Sequence, residues 1–150
     1  MAVTNPQIAL GTLNRLRTSL VVPGFPNLNV TNSYMSKRFI HVTLDENPFG
    51  LGIETATGIV VSPEPYVMGT INVGLLRTTG LAQSWFSQAI STVVIGAVEI
   101  HSDTSAFSAL TINTTYIERI DPGPYDGTNP EVSLVLRGVF YVNNDLWNLL

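Results

Sequence analysis

The side chains able to do acid–base or nucleophilic chemistry are few. Histidine occurs twice, at His41 and His101. A hydrolytic triad needs one of them as its base. The tripeptide His101-Ser102-Asp103 holds the right residue types, but successive residues of a strand point to opposite faces, so it forms no relay by itself. Both histidines read as structural. The densest acidic group is Asp45-Glu46-Asn47, at a strand end. Asp121, Asp126 and Asp145 are spread over turns; Asp126-Gly127 is a turn signal without the rest of a calcium loop. Eleven acidic residues nominate no pair for glycoside hydrolysis. The absence of cysteine excludes disulfides, thiolate metal sites and cysteine nucleophiles. Gly50-Leu51-Gly52 and Gly123-Pro124 match no phosphate-binding loop. The expectation is a protein with no catalytic residues, no metal and no cofactor.

The elements around these residues are mostly strands. A loose alternation over residues 7–22 places Ile8, Leu10, Leu16 and Leu20 in one phase and stops at Pro23-Gly24-Phe25-Pro26. Residues 28–45 read as a long strand, returned by residues 51–62 after the turn Asn47-Pro48-Phe49-Gly50, with Gly58 as a bulge. Residues 66–76 alternate well, with Val67, Ile71, Val73 and Leu75 in one phase. The period then becomes helical over residues 81–92. Leu81, Ala82, Trp85, Phe86, Ala89 and Ile90 share a face, and Thr78 or Thr79 is placed to cap it. Residues 93–101, 109–120 and 131–143 are further strands. Residues 134–142 are apolar on both faces apart from Arg137, as in a strand covered on both sides. The apolar end Leu146-Trp147-Asn148-Leu149-Leu150 is expected to dock. The expected fold is mainly β, an antiparallel sandwich or barrel of about seven strands with one packed α-helix, over a single domain of residues 1–150.

Charged residues make up only 12% of the chain, about half the usual share. Apolar residues make up 45%, which rules out disorder. The net charge of −4 with one lysine, Lys37, leaves no basic footprint for nucleic acid. No signal peptide is visible and no apolar run is long enough to span a membrane as a helix, so no membrane insertion by the chain itself is expected. Natural proteins blunt long strand edges with charge, lysine above all. A chain this poor in charge is better suited to pairing its edges with copies of itself in a closed ring.

Length, absence of cysteine, the strand pair over 28–62, the strand over 66–76 followed by a single helix, and three closing strands together resemble the tail tube proteins of contractile-tailed bacteriophages. The phrases Ile120-Asp121-Pro122-Gly123-Pro124-Tyr125-Asp126-Gly127 and Tyr141-Val142-Asn143-Asn144-Asp145-Leu146-Trp147 add to the likeness. The layout is also similar to the haemolysin-coregulated tube protein of type VI secretion. The resemblance implies a structural virion protein of the phage tail, assembled in the host cytoplasm. Hexameric rings stack into a tube, sheath and baseplate proteins are partners, and DNA passes through the lumen without sequence-specific contact. Glu54 and Glu99, with neighbouring Thr and Asn, are expected to face that lumen, because an acidic or neutral wall traps no phosphate. Contacts between subunits or rings are expected at Pro23, Phe25, Asp45, Glu46, Phe49, Leu146, Trp147 and Leu150. A tube-initiator or tail-terminator ring is the nearest alternative. A β-sandwich binding module presenting Tyr34, Tyr66, Tyr116 and Tyr125 is the competing class, and a small hydrolase using His41 or His101 is the third.

Overall fold

The computed structural model describes Gly11 and residues 17–44, 49–103 and 108–147. Asp45, Glu46 and Leu150 lie outside the described residues. Among the described residues, eight strands run in chain order as β1 (Ser19–Val21), β2 (Met35–Leu44), β3 (Gly50–Glu54), β4 (Ile59–Pro63), β5 (Tyr66–Leu76), β6 (Val94–His101), β7 (Leu110–Asp121) and β8 (Glu131–Tyr141). Helix α1 (Gly80–Ser91) lies between β5 and β6, and a single turn, α2 (Asn144–Trp147), follows β8. Six strands form one antiparallel sheet in the order β1-β6-β7-β8-β5-β2, and β3 and β4 form a separate pair. The fold is mainly β, as the alternation predicts, and the large sheet is a curled half-barrel.

The sheet is built on β5 and β8, which pair from Tyr66 opposite Tyr141 to Leu76 opposite Glu131. β8 is central in the sheet, between β5 and β7. Alternation sorts the side chains. Val67, Ile71, Val73 and Leu75 of β5 and Leu134 and Leu136 of β8 are fully buried on the face that α1 covers. Curling follows from interruptions of register in three strands. In β2, β6 and β7 the ladder slips near Phe39, Gly96 and Thr114, all with positive φ. An extra residue at such a point bends the strand and increases its twist.

Helix α1 carries the chain from β5 to β6 across the sheet, touching β5 and β7. Thr79 is its N-cap residue, but the hydroxyl donates to the Leu76 carbonyl (2.9 Å) and not to the first turn. Leu81, Ala82 and Trp85 are buried against Leu20, Leu28, Val73 and Ile117. The helical stripe is narrower than its sequence suggests. Phe86 is half-exposed and Ile90 is 72% exposed. Ile90 stands half a turn round the helix from Leu81, outside the arc that one sheet face can cover.

Three expected elements differ. Residues 28–45 are not one strand: 3-10 turns at Pro26–Leu28 and Asn32–Tyr34 precede β2. Residues 51–62 do not return along β2. They split into β3 and β4, and β2 pairs with β5 instead. Two forces decide this. Thr55 and Gly58 close a tight turn, the Thr55 amide donating to the Gly58 carbonyl (2.7 Å) and the Gly58 amide to the Thr55 hydroxyl (3.1 Å). Gly58 therefore belongs to a turn and not to a bulge. Meanwhile β2 gains apolar cross-strand neighbours on β5, Ile40 opposite Val73 and Val42 opposite Ile71. Finally, α2 leaves Leu146 and Trp147 exposed on their own chain, and residues 148–150 lie outside the described residues.

Candidate interaction surfaces

The β3–β4 hairpin is the least satisfied part of the molecule. Its register places Leu51, Ile53, Val60 and Ser62 on one face and Ile59 and Val61 on the other, with Gly50, Gly52 and Glu54. Both faces are apolar, and every residue from 50 to 61 is exposed. Ile59 and Val61 stand at 68% and 69% exposure. Such residues form strands because β-branched side chains suit a pleated surface, yet an isolated two-stranded hairpin is at best marginal in water. A contiguous exposed apolar patch of this kind marks an interaction site. Within residues 50–63, Glu54 is the only charge.

The root of the hairpin is fixed. The Asn143 side-chain amide donates to the carbonyls of Phe49 and Glu64, both at 2.8 Å, and the Glu64 amide donates to Phe49 (3.0 Å). Asn143 has φ of 55°, a conformation that asparagine tolerates. Phe49 is thereby brought to the same end of the molecule as exposed Leu146 and Trp147. Pro23 and Phe25 sit elsewhere, in the turn after β1. Gly24 of that turn approaches the Ile95 carbonyl, and Phe25 packs on the core.

The face of the sheet opposite α1 is polar and neutral in balance. One row across it reads Val94, Tyr116, Arg137, Thr70, Thr43, and the next reads Arg119, Val135, Asn72, His41. Glu99 lies on this face, between Thr111 and Val21, with His101 two residues on at 3.6 Å. Arg119 is 3.5 Å from Asp121, and Arg38 is 3.0 Å from Glu131 and donates to the Ser133 hydroxyl (3.0 Å). Arg38 and Arg119 are thus each matched by a carboxylate. Glu54 is not here. It sits at the far end of β3, so the two carboxylates expected to share one surface are on different elements.

A cleft of about 240 Å³ opens at the other end of the sheet, where β5 hands the chain to α1. Its apolar wall is Ala82, Phe86, Ile120, Pro122 and Val132. Arg77 enters it, with its guanidinium 4.8 Å from the Tyr125 ring centroid and hydrogen-bonded to the Pro122 carbonyl. Its Nε is buried and has no hydrogen-bond partner. Beside it, the Asp126 carboxylate accepts from the Thr128 and Asn129 amides (3.0 and 3.2 Å). These donors, that of Thr128 first, hold the Asp126 carboxyl below its ordinary range. No sequence pattern marked Arg77 and Tyr125 as neighbours, since 47 residues, with α1, β6 and β7 among them, separate the two.

The remaining expected positions do not converge on a reaction centre. His41 and His101 are on β2 and β6, with β7, β8 and β5 between them. Among the described residues no group of three His, Asp or Glu side chains is close enough to hold a metal ion, and no helix is long and apolar enough to cross a membrane. The four tyrosines do not make one platform. Tyr125 lies over Arg77, Tyr66 pairs with Tyr141, Tyr116 lies beside Arg137, and Tyr34 is in a 3-10 turn. Comparison of the sequence with models of protein families and with curated proteins gives no match.

Proposed function

We propose that this chain is a structural subunit that closes into hexameric rings, and that the rings stack into the inner tube of a phage-type contractile tail through which DNA passes. The observation that carries the reading is the β3–β4 hairpin, apolar on both faces and covered by none of the described residues of its own chain. A fold with a complete core has no use for such an arm unless it is buried on a neighbour. The polar sheet face supports the same reading. Its Thr, Asn and Tyr side chains and matched charges offer passing DNA no uncompensated run of cations. Sheath and baseplate proteins are the partners in this reading, and the virion is the location.

Negative-stain electron microscopy of the purified protein, with light-scattering mass on the same sample, tests the proposal. Rings or tubes with a central hole are expected, and tube length separates a polymerising tube from a single-ring initiator or terminator. A monodisperse species of 16.3 kDa at high concentration overturns it and favours a monomeric binding module.

A further inference from the structure

The hairpin and the Arg77 cleft are complementary and lie at opposite ends of the molecule. The hairpin leads into Tyr66, the first residue of β5, and Arg77 follows Leu76, the last. Ten steps along a strand cover roughly 33 Å, whereas the five residues of β3 reach only about 17 Å. The arm therefore cannot fold back into the cleft of its own chain. Two complementary patches at opposite ends make a head-to-tail contact, which propagates from copy to copy.

Chemistry pairs the two patches. The hairpin offers Ile59 and Val61 as an apolar face that also carries its single charge, Glu54. The cleft offers an apolar wall and one charge of the opposite sign, Arg77. No carboxylate among the described residues pairs with that guanidinium, and its buried Nε has no hydrogen-bond partner. Tyr125 and the Pro122 carbonyl fix its plane, so little side-chain freedom is lost when a carboxylate arrives. We infer that the β3–β4 hairpin of one copy seats in the cleft between α1 and the ends of β7 and β8 of a second copy, with Glu54 paired to Arg77. This rests on the assembly proposed above and names the contact that carries it from one ring to the next.

The test uses the full chain in two formats. The protein has no cysteine, so Ile59→Cys with Gln83→Cys introduces one thiol on the hairpin and one at the cleft, both exposed, and each single variant is the control for links between like sites. Mild oxidation is expected to give a ladder of linked copies on a non-reducing gel. A chain that stays at 16.3 kDa overturns the inference, whatever rings are seen. In the second format, Glu54→Arg and Arg77→Glu are each expected to weaken stacking about tenfold, as a close interfacial charge pair does, and the double reversal to restore it. If the wild-type chain forms tubes and both single variants stack normally, this contact is wrong while the assembly reading stands. If the wild-type chain gives single rings and the cysteine ladder still forms, the contact stands and stacking needs a further component. If the wild-type chain gives no rings and the double-cysteine variant no ladder, both fail.

Discussion

At the scale of single residues, the tightest constraint is steric. A Cβ on Gly138 would strike the Ile112 side chain and lie 2.8 Å from the Thr115 hydroxyl and 2.9 Å from the Asn113 carbonyl. The last of these is backbone and cannot swing aside, and it sits at the bulge that bends β7. Gly138→Ala is therefore expected to destabilise the chain by about 1–3 kcal/mol, read as a lower urea midpoint at unchanged slope. The Thr128 and Asn129 amides hold the Asp126 carboxyl below its ordinary range. Its folded pKa is depressed, so its contribution is present above the ordinary carboxylate range and lost as pH falls through the folded value. An NMR titration of Asp126 is expected to show that lowered value, and Asp126→Asn to remove the associated acid-side loosening of the 125–130 loop. A normal titration overturns the loop hydrogen bonds as its cause. The residue types carried part of this: Asp126-Gly127 marked a turn, and the bulge-facing Gly138 carried no signal, because its clash is with a strand that the sequence does not reveal as a neighbour.

At the scale of elements, the helix and the hairpin answer in opposite ways to substitution. Trp85 is fully buried at the centre of the core, so Trp85→Ala is expected to cost about 3–5 kcal/mol and to show as a large fall in the denaturation midpoint. Its indole N–H has no partner, so Trp85→Phe removes an unpaired donor along with ring volume and is expected to cost less. The hairpin is different. Val61→Asp is expected to leave the stability of the dispersed chain within about 0.5 kcal/mol, since the side chain is exposed there, and to abolish assembly seen by light scattering. A Val61→Asp chain that assembles normally removes the hairpin from the contact. The two elements also differ in legibility. Alternation through Val67, Ile71, Val73 and Leu75 marked β5, and the change of period at Leu81 marked α1, because each buries one face on its own core. Residues 51–62 have equal β propensity but face no part of that core. Pattern reading therefore paired them with the nearest strand in sequence, and the Thr55–Gly58 turn that divides them was missed.

At the scale of the whole molecule, the sheet has two edges of unequal kind. On one side β1 is three residues long and is bridged by Val30, whose amide and carbonyl exchange hydrogen bonds with Leu20 (2.8 and 2.9 Å). On the other side β2 runs for ten residues with no strand beyond it among the described residues. Its charges, Lys37 and Arg38, sit near its start, and Arg38 is turned inward onto Glu131. The remainder of that edge is left without the charge that keeps open strands apart. A ring built from such subunits would use this edge, and amide exchange can read it directly. In an antiparallel pair every second residue of an edge strand points its N–H and C=O away from the partner. Those outward amides of β2 are expected to exchange quickly in the dispersed chain and at least about tenfold more slowly once the chain assembles. Amides of β5 and β8, paired on both sides, are expected to be slow in both states. If the outward β2 amides stay fast in the assembled protein, the edge is open and the hairpin alone holds the copies together. The product is then a string of copies joined end to end and not a closed tube.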